Sequence, residues 1–184
     1  WTILRGARAA VNLFYLAEEA DAGDIIVQRE VPVLPDDYSE DLIARQNVAL
    51  EEVIVELAPR IRSGDVPRMP QDHSKATYYP KRTPADGLID WKEPTEQIYR
   101  LIRAAGRPYP GAFTHADDAK VTIWRARPAN DERGAGELPG TVLRVTDDGR
   151  VLVATGNGAL WLTQAETEMG APAALQLHVG QRLA

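Results

Sequence analysis

The spacing of hydrophobic and polar positions changes along the chain and predicts different elements in turn. Residues 9–16 and 24–33 are apolar, strand-like runs separated by the acidic turn EEADAG, which predicts a β-hairpin. Because both runs are strongly apolar, we expect the turn to lie at the end of a buried sheet. From about Ser39 to Arg62 the apolar period is near 3.6, which predicts a helix with Ser39 as its N-cap and Ser63-Gly64 as its end. The predicted buried stripe of this helix comprises Leu42, Ala49, Leu50, Val53, Leu57 and Ile61.

The second half of the chain changes character at a proline-rich stretch. Residues 66–87 contain four prolines and little periodicity, which is typical of an extended connector. A second helix is predicted from Thr95, a candidate N-cap, to Gly106. Beyond it, alternating runs (AFTH, KVTIWRAR, GTVLRVT, RVLVAT and ALWLTQAE) predict five or six short strands and an OB-like β-barrel. The sequence therefore divides into residues 1–65, a linker at 66–87, and a C-terminal domain at 88–184.

The amino-acid composition excludes several kinds of functional site. The 184 residues include no cysteine, which excludes disulfides, zinc–thiolate sites and thiol nucleophiles. The three histidines, at positions 73, 115 and 178, have no metal-ligand spacing, so no metal site is predicted. A net charge of −6 argues against a dominant mode of binding to phosphate backbones. No apolar run is long enough to span a bilayer, and we expect a cytoplasmic protein without a membrane partner.

The acidic turn holds the most informative single residue, Asp21. One interpretation is a turn residue, since aspartate side chains bond nearby backbone amides and Gly23 follows closely. The other is a carboxylate that orients a histidine and raises its pKa, as acid–base sites require. No histidine is near Asp21 in the sequence, so spacing alone leaves both interpretations open.

Four linked motifs carry a resemblance to a known family. They are GARAAVNLFYLAEEADAGDIIVQ at residues 6–28, which contains a D-x-G-D-I-I-x-Q pattern, then LPDDYSEDL, then SKATYYPKRTPADGLIDW, then IRAAGRPYPGAF. In this order the motifs resemble the folate-dependent formyltransferases, which include methionyl-tRNA formyltransferase and the amino-sugar N-formyltransferases. The resemblance implies an α/β remnant of a formyltransferase catalytic domain, made of the hairpin and its helix, followed by an OB-like barrel domain.

The resemblance also implies a reaction and a set of site residues. The family transfers a formyl group from N10-formyltetrahydrofolate (10-formyltetrahydrofolate) to a primary amine with an Asn, a His and an Asp, and Asp21 matches the Asp. The family's Asn and His belong to an N-x-H-x-S-L-L-P motif expected before Trp1. The chain opens on Trp1 without an initiator Met and looks like a piece of a longer polypeptide, so we expect it to be inactive alone. The loop that lies against the cofactor's pterin in sugar-type members is matched by Ala17, Glu18, Glu19, Ala20 and Asp21.

Charge bears on the identity of the amine. Residues 86–184 contain 11 Lys and Arg against 13 Asp and Glu, a net of −2, which is the wrong sign for binding tRNA by counterion release. We therefore favour a small-molecule amine, with a nucleotide-linked amino sugar as first choice. The alternatives that stay open are a hydroxyornithine-type amine, a methionyl-tRNA formyltransferase, a non-catalytic binding or interaction module, and a homodimer.

Several other residues have both a bland and a functional interpretation. For Trp91, Tyr78 and Tyr79 we favour packing over contact with substrate, and for the connector cations we favour a solvated surface over a substrate phosphate. The acidic pair before the first long helix is expected to serve the helix start, and two histidines are expected at the surface or an edge. The connector cations are Lys81 and Arg82, the acidic pair is Asp36 and Asp37, and the two histidines are His115 and His178.

Overall fold

The computed structural model describes residues 1–129, 136–168, 170–173 and 176–184. The chain forms two compact units, Trp1–Lys81 and Arg82–Ala184, and the point of division lies inside the predicted linker. Within the described ranges, no helix is both long and apolar enough to cross a membrane.

The first unit begins with a short helix, α1 (Thr2–Arg5), and the predicted hairpin. Strand β1 (Ala9–Phe14) pairs antiparallel with β2 (Ile25–Val31), so the hairpin is confirmed, although each strand is shorter than predicted. The buried sheet expected at this hairpin is not seen in the described chain. The sheet has only these two strands, and most of their side chains are partly exposed.

The first long helix, α2 (Ser39–Ser63), matches its predicted span. Its N-cap is Tyr38 and not Ser39, since the Asp41 carboxylate accepts the Tyr38 backbone N–H at 2.9 Å and thereby fixes the first turn. Gly64 ends the helix in the left-handed region, with φ 73°, as the sequence predicted.

The predicted stripe of α2 is confirmed only in part. Leu42, Val53 and Leu57 are buried, whereas Ile61 is 54% exposed. Ile61 lies roughly 100° around the helix from Leu42, at 3.6 residues per turn, and so falls outside the buried face.

An ion pair secures the loop that leads into α2. Asp37 is only 6% exposed, and its two carboxylate oxygens accept hydrogen bonds from the Arg45 guanidinium at 2.7 and 2.9 Å. One of the same oxygens also accepts the Leu34 backbone N–H at 2.7 Å. Asp37 therefore has a structural role at the helix start, as expected from the sequence.

The second unit begins with a short 3-10 helix (Pro84–Gly87). It is followed by α3 (Thr95–Ala105), which ends at Gly106 as predicted. Its N-cap is Pro94, not Thr95. The Thr95 hydroxyl is bonded to the Thr155 hydroxyl at 2.7 Å, and the Asn157 side-chain oxygen accepts the Thr95 backbone N–H at 2.8 Å. A distant loop thus supplies the cap that the local sequence does not.

The described residues of the second unit also form five antiparallel strands, in the order β3-β4-β7-β6-β5. Every alternating run identified in the sequence forms one of them, but the described strands form an open sheet, so the OB-like barrel is not confirmed. The last residues of the chain bond to both edges: the Ala184 and His115 backbones exchange two hydrogen bonds, and Val142 N–H donates to Gln181. The strands are β3 (Ala112–Ala116), β4 (Ala119–Pro128), β5 (Val142–Val145), β6 (Val151–Ala154) and β7 (Ala159–Thr167).

Candidate functional site

Asp21 lies at the tip of the loop that joins β1 to β2. The five residues of the predicted cofactor loop form one exposed segment of it: Ala17, Glu18, Glu19, Ala20 and Asp21. Asp21 adopts a left-handed backbone conformation, with φ 58°. That region disfavours most residues with a Cβ, and Asp tolerates it better than most because its short polar side chain can bond locally.

The neck of the loop is formed by Tyr15 and Asp24, which are joined by a hydrogen bond from Tyr15 N–H to Asp24 O at 2.9 Å. Gly23 lies against this neck. A Cβ at Gly23 would lie 1.6 Å from the Tyr15 carbonyl oxygen, far inside any van der Waals contact. Glycine is therefore required here by the close approach of two backbone segments.

The connector that follows α2 supports the same loop from outside. The Gln71 side-chain amide donates to the carbonyl oxygens of Asp21 and Gly23, at 2.7 and 2.6 Å. Two residues earlier, Met69 exchanges two backbone hydrogen bonds with Ile25, at 2.8 and 2.9 Å. The connector is thus tied to the base of the loop through a single antiparallel bridge.

A cation lies beside the neck. The Arg68 guanidinium lies 4.1 Å from the centre of the Tyr15 ring, and its Nε is 3.4 Å from an Asp24 carboxylate oxygen. This stacking and ion pair tie the connector to the hairpin at a second point.

The tip itself offers free hydrogen-bonding groups. The backbones of Ala17, Glu18 and Ala20 have no hydrogen-bond partner among the described residues, and Leu16 is 96% exposed. Within the tip the only backbone bond runs from Ala22 to Glu19, at 3.4 Å, considering the part of the chain that the structure describes. The tip therefore presents unpaired peptide groups and one apolar side chain on its exposed surface.

Among the described residues, no hydrogen bond or ion pair joins Asp21 to a histidine, including His73 of the same unit. His115 lies on the edge strand β3 and His178 is exposed, which confirms their predicted surface or edge positions.

The remaining sequence candidates have mainly structural contacts. Trp91 is 3% exposed and donates from Nε1 to the Thr114 hydroxyl at 2.9 Å, which confirms its packing role. Tyr79 stacks on Trp1 with ring centres 5.2 Å apart, as expected. Tyr78 is 91% exposed, so the packing predicted for it is wrong.

The cations of the connector lie at its surface. Lys81 is exposed, while the Arg82 guanidinium donates to the Asp86 carbonyl at 2.6 Å.

A separate open cavity of about 440 Å³ lies on the sheet of the second unit. Trp124 forms part of its wall and donates from Nε1 to a Glu166 carboxylate oxygen at 3.1 Å. It contains none of the residues that the sequence singled out. The other lining residues are Lys120, Thr122, Thr167, Glu168 and Gly170.

Sequence reasoning missed Gln71 and Arg68. Both lie in a proline-rich connector whose composition predicts only extended chain, and their partners are about fifty residues away. The family-like SKATYY motif begins only at Ser74, after both residues, and gives no signal for either side chain.

The comparisons with known proteins agree with this architecture. The family model described as formyl transferase, C-terminal domain, matches residues 81–178. HypX from Aquifex aeolicus, solved in complex with tetrahydrofolic acid, is 26% identical with a TM-score of 0.75, over 91% of this chain and 29% of that one. The chain thus spans less than a third of HypX.

Two further solved structures are similar in fold alone. Methionyl-tRNA formyltransferase from Clostridium thermocellum is 23% identical, with a TM-score of 0.58 over 71% of this chain and 56% of that one. An N-formyltransferase from Helicobacter canadensis, in complex with folinic acid and dTDP-3-aminofucose, is 16% identical. Its TM-score is 0.63 over 88% of this chain and 58% of that one.

Proposed function

This chain belongs to the formyl transferase family, and from that premise we propose that it is part of an enzyme that moves a formyl group from N10-formyltetrahydrofolate to a primary amine. The family match falls on the second unit, and the likeness to the tetrahydrofolate-bound HypX extends over 91% of the chain. The acidic loop lies in the first unit.

The observation that carries the proposal is the exposed carboxylate of Asp21 on a loop that is tied at its neck and from the connector. An amine that attacks a formyl carbon must lose a proton, and the tetrahedral oxyanion needs a fixed donor. In the family an Asn and a His supply the donor and the proton transfer. Asp21 would hold that imidazole in one tautomer and stabilise its charged form.

The tip of the loop fits a folate. Its unpaired peptide groups at Ala17, Glu18 and Ala20 can bond the polar edge of a pterin, and Leu16 can cover an apolar face. The bound cofactor would supply the transferable formyl group on its N10 atom. The residues of this chain would contribute orientation and exclusion of water.

For the acceptor we propose a small molecule, with a nucleotide-linked amino sugar as first choice. The net charge of −2 over residues 86–184 supports a small ligand over tRNA, because tRNA binding depends on many cationic contacts. The Helicobacter canadensis enzyme, similar to this chain in fold, was solved with an amino sugar linked to a nucleotide.

An assay of the full-length polypeptide tests this function. The enzyme is incubated with N10-formyltetrahydrofolate and, in separate reactions, with a nucleotide-linked amino sugar, hydroxyornithine and charged initiator methionyl-tRNA. We expect formylation of a small amine, with a weak dependence on salt. Formylation of the tRNA alone would overturn the acceptor, and release of tetrahydrofolate with no amine formylated would overturn amine transfer itself.

A further inference from the structure

We propose that Gln71 is a positioning residue that holds the Asp21 loop in its reactive conformation. The inference deepens the proposed function and rests on it. Gln71 does not itself contact the reacting groups. It acts through the backbone on either side of Ala22, the carbonyl groups of Asp21 and Gly23.

The first argument is the geometry of a single amide. Both protons of the Gln71 –NH₂ group are used, one on the Asp21 carbonyl at 2.7 Å and one on the Gly23 carbonyl at 2.6 Å. Because both acceptors are carbonyls, only the orientation with nitrogen toward the loop makes these bonds. A forked donor on two carbonyls two residues apart fixes both the position and the rotation of the peptide segment between them.

The second argument is how little else holds the tip. Below the tip, Tyr15 and Asp24 close the neck, and inside it the described residues provide only the long Ala22–Glu19 bond. The left-handed φ of 58° at Asp21 also costs conformational energy. Without Gln71 this backbone would be free to relax, and the direction of the Asp21 Cα–Cβ bond would change with it.

The third argument is that Gln71 is held on a fixed base. Met69 is bonded twice to Ile25, and Arg68 binds both the Tyr15 ring and the Asp24 carboxylate. The side chain of Gln71 is also partly buried, which limits its alternative rotamers. The bond to the loop is therefore made by a donor whose own position is determined.

The test is a double-mutant cycle between Gln71 and Asp21 in the full-length enzyme. Gln71→Ala removes the donors, and the asparagine side chain of Gln71→Asn is too short to reach both carbonyls. Gln71→Glu replaces the donor by a carboxylate oxygen, which cannot donate to the carbonyl oxygens of Asp21 and Gly23. Asn47→Ala, on an exposed turn of α2, is the matched control for loss of an amide side chain. The variants are compared by kcat, KM for the folate donor, and the pH profile of kcat.

We expect Gln71→Ala to lower kcat by roughly 10- to 100-fold, since a displacement of about 1 Å in a catalytic group can cost on the order of 100-fold. In the Asp21→Asn background the same change should lower kcat less than about twofold, because its target is already lost. Gln71→Asn and Gln71→Glu should be impaired like Gln71→Ala, and Asn47→Ala should match the parent. Equal losses in both backgrounds, or none in the parent, would overturn the positioning role.

A measurement without substrate separates this inference from the proposed function. Gln71→Ala should speed amide hydrogen exchange at Ala22 while leaving the exchange within α2 unchanged. If Asp21→Asn is inactive and Gln71→Ala is fully active, the inference fails and the proposed function stands. If the parent transfers formyl to no amine, the proposed function fails, and unchanged exchange at Ala22 would overturn the inference as well.

Discussion

Gly23 has no room for a side chain, because the position of its missing Cβ lies 1.6 Å from the carbonyl oxygen of Tyr15. The φ of Gly23 is not in the left-handed region, so the requirement is purely steric. The two backbone strands of the loop neck approach each other here, and they are bonded through Tyr15 and Asp24 at 2.9 Å. The shape of the acidic loop therefore depends on one glycine.

Gly23→Ala should destabilise the first unit by roughly 1–3 kcal/mol, as overpacking does when backbone must move. The neck should open, so the Tyr15 amide should exchange faster. Urea unfolding and amide hydrogen exchange measure the two effects. Gly64→Ala is the control, since its Cβ meets nothing within 4 Å and only its φ of 73° is strained. Unchanged protection of the Tyr15 amide in Gly23→Ala would contradict the steric account.

In the second unit, the buried hydrogen bond from Trp91 to Thr114 should be costly to break. Trp91→Phe keeps an aromatic ring but leaves the Thr114 hydroxyl with one partner fewer, which should cost about 1–3 kcal/mol of unfolding free energy. Trp1→Phe provides the comparison, because its indole donates to Pro80 at an exposed site and should cost under about 1 kcal/mol. Equal costs for the two variants would show that burial does not govern this bond.

A third prediction concerns the connector turn that follows Gln71. The pKa of the Asp72 carboxyl lies below its ordinary value, first because the Ser74 hydroxyl donates to it, and then because Lys75 and the Ser74 backbone N–H do. The contribution of Asp72 to stability is therefore complete above the unfolded-state pKa of about 3.9 and is lost as pH falls through the lower folded-state pKa.

Carbon NMR of the Asp72 carboxyl group measures this directly. The midpoint should lie below about 3.9 in the parent and should rise in Ser74→Ala, which removes the leading cause. A midpoint that does not move in Ser74→Ala would assign the shift to another group.

Local patterning was sufficient to predict most elements of the fold. Alternation predicted all five strands of the second unit, and periodicity predicted the span of α2. Both N-caps were predicted one residue late, since Asp41 reaches back to Tyr38 and the distant Asn157 caps α3 at Thr95. The α3 cap comes from a tertiary contact, which leaves no local signal, whereas the α2 cap is made within one turn of the chain.

The candidate site could likewise be predicted only where its residues are neighbours in the sequence. Its exposed loop is one continuous stretch, so the sequence placed Asp21 and its neighbours together. Gln71 acts on that loop from fifty positions away through backbone carbonyls, which any donor could bind, so nothing in the spacing indicated it. The buried sheet was not found, because apolar positions in a strand indicate that the strand can be buried but do not indicate which segment packs against it.

The central claim is that the Asp21 carboxylate takes part in formyl transfer, and Asp21→Asn in the full-length enzyme tests it most directly. Steady-state turnover is measured with N10-formyltetrahydrofolate and the small amine that the parent accepts, with Glu51→Gln on the exposed face of α2 as a charge-matched control. Loss of acid–base support should lower kcat by on the order of 10²–10⁴-fold in Asp21→Asn alone. Turnover close to that of the parent would contradict the claim and leave Asp21 as a turn residue.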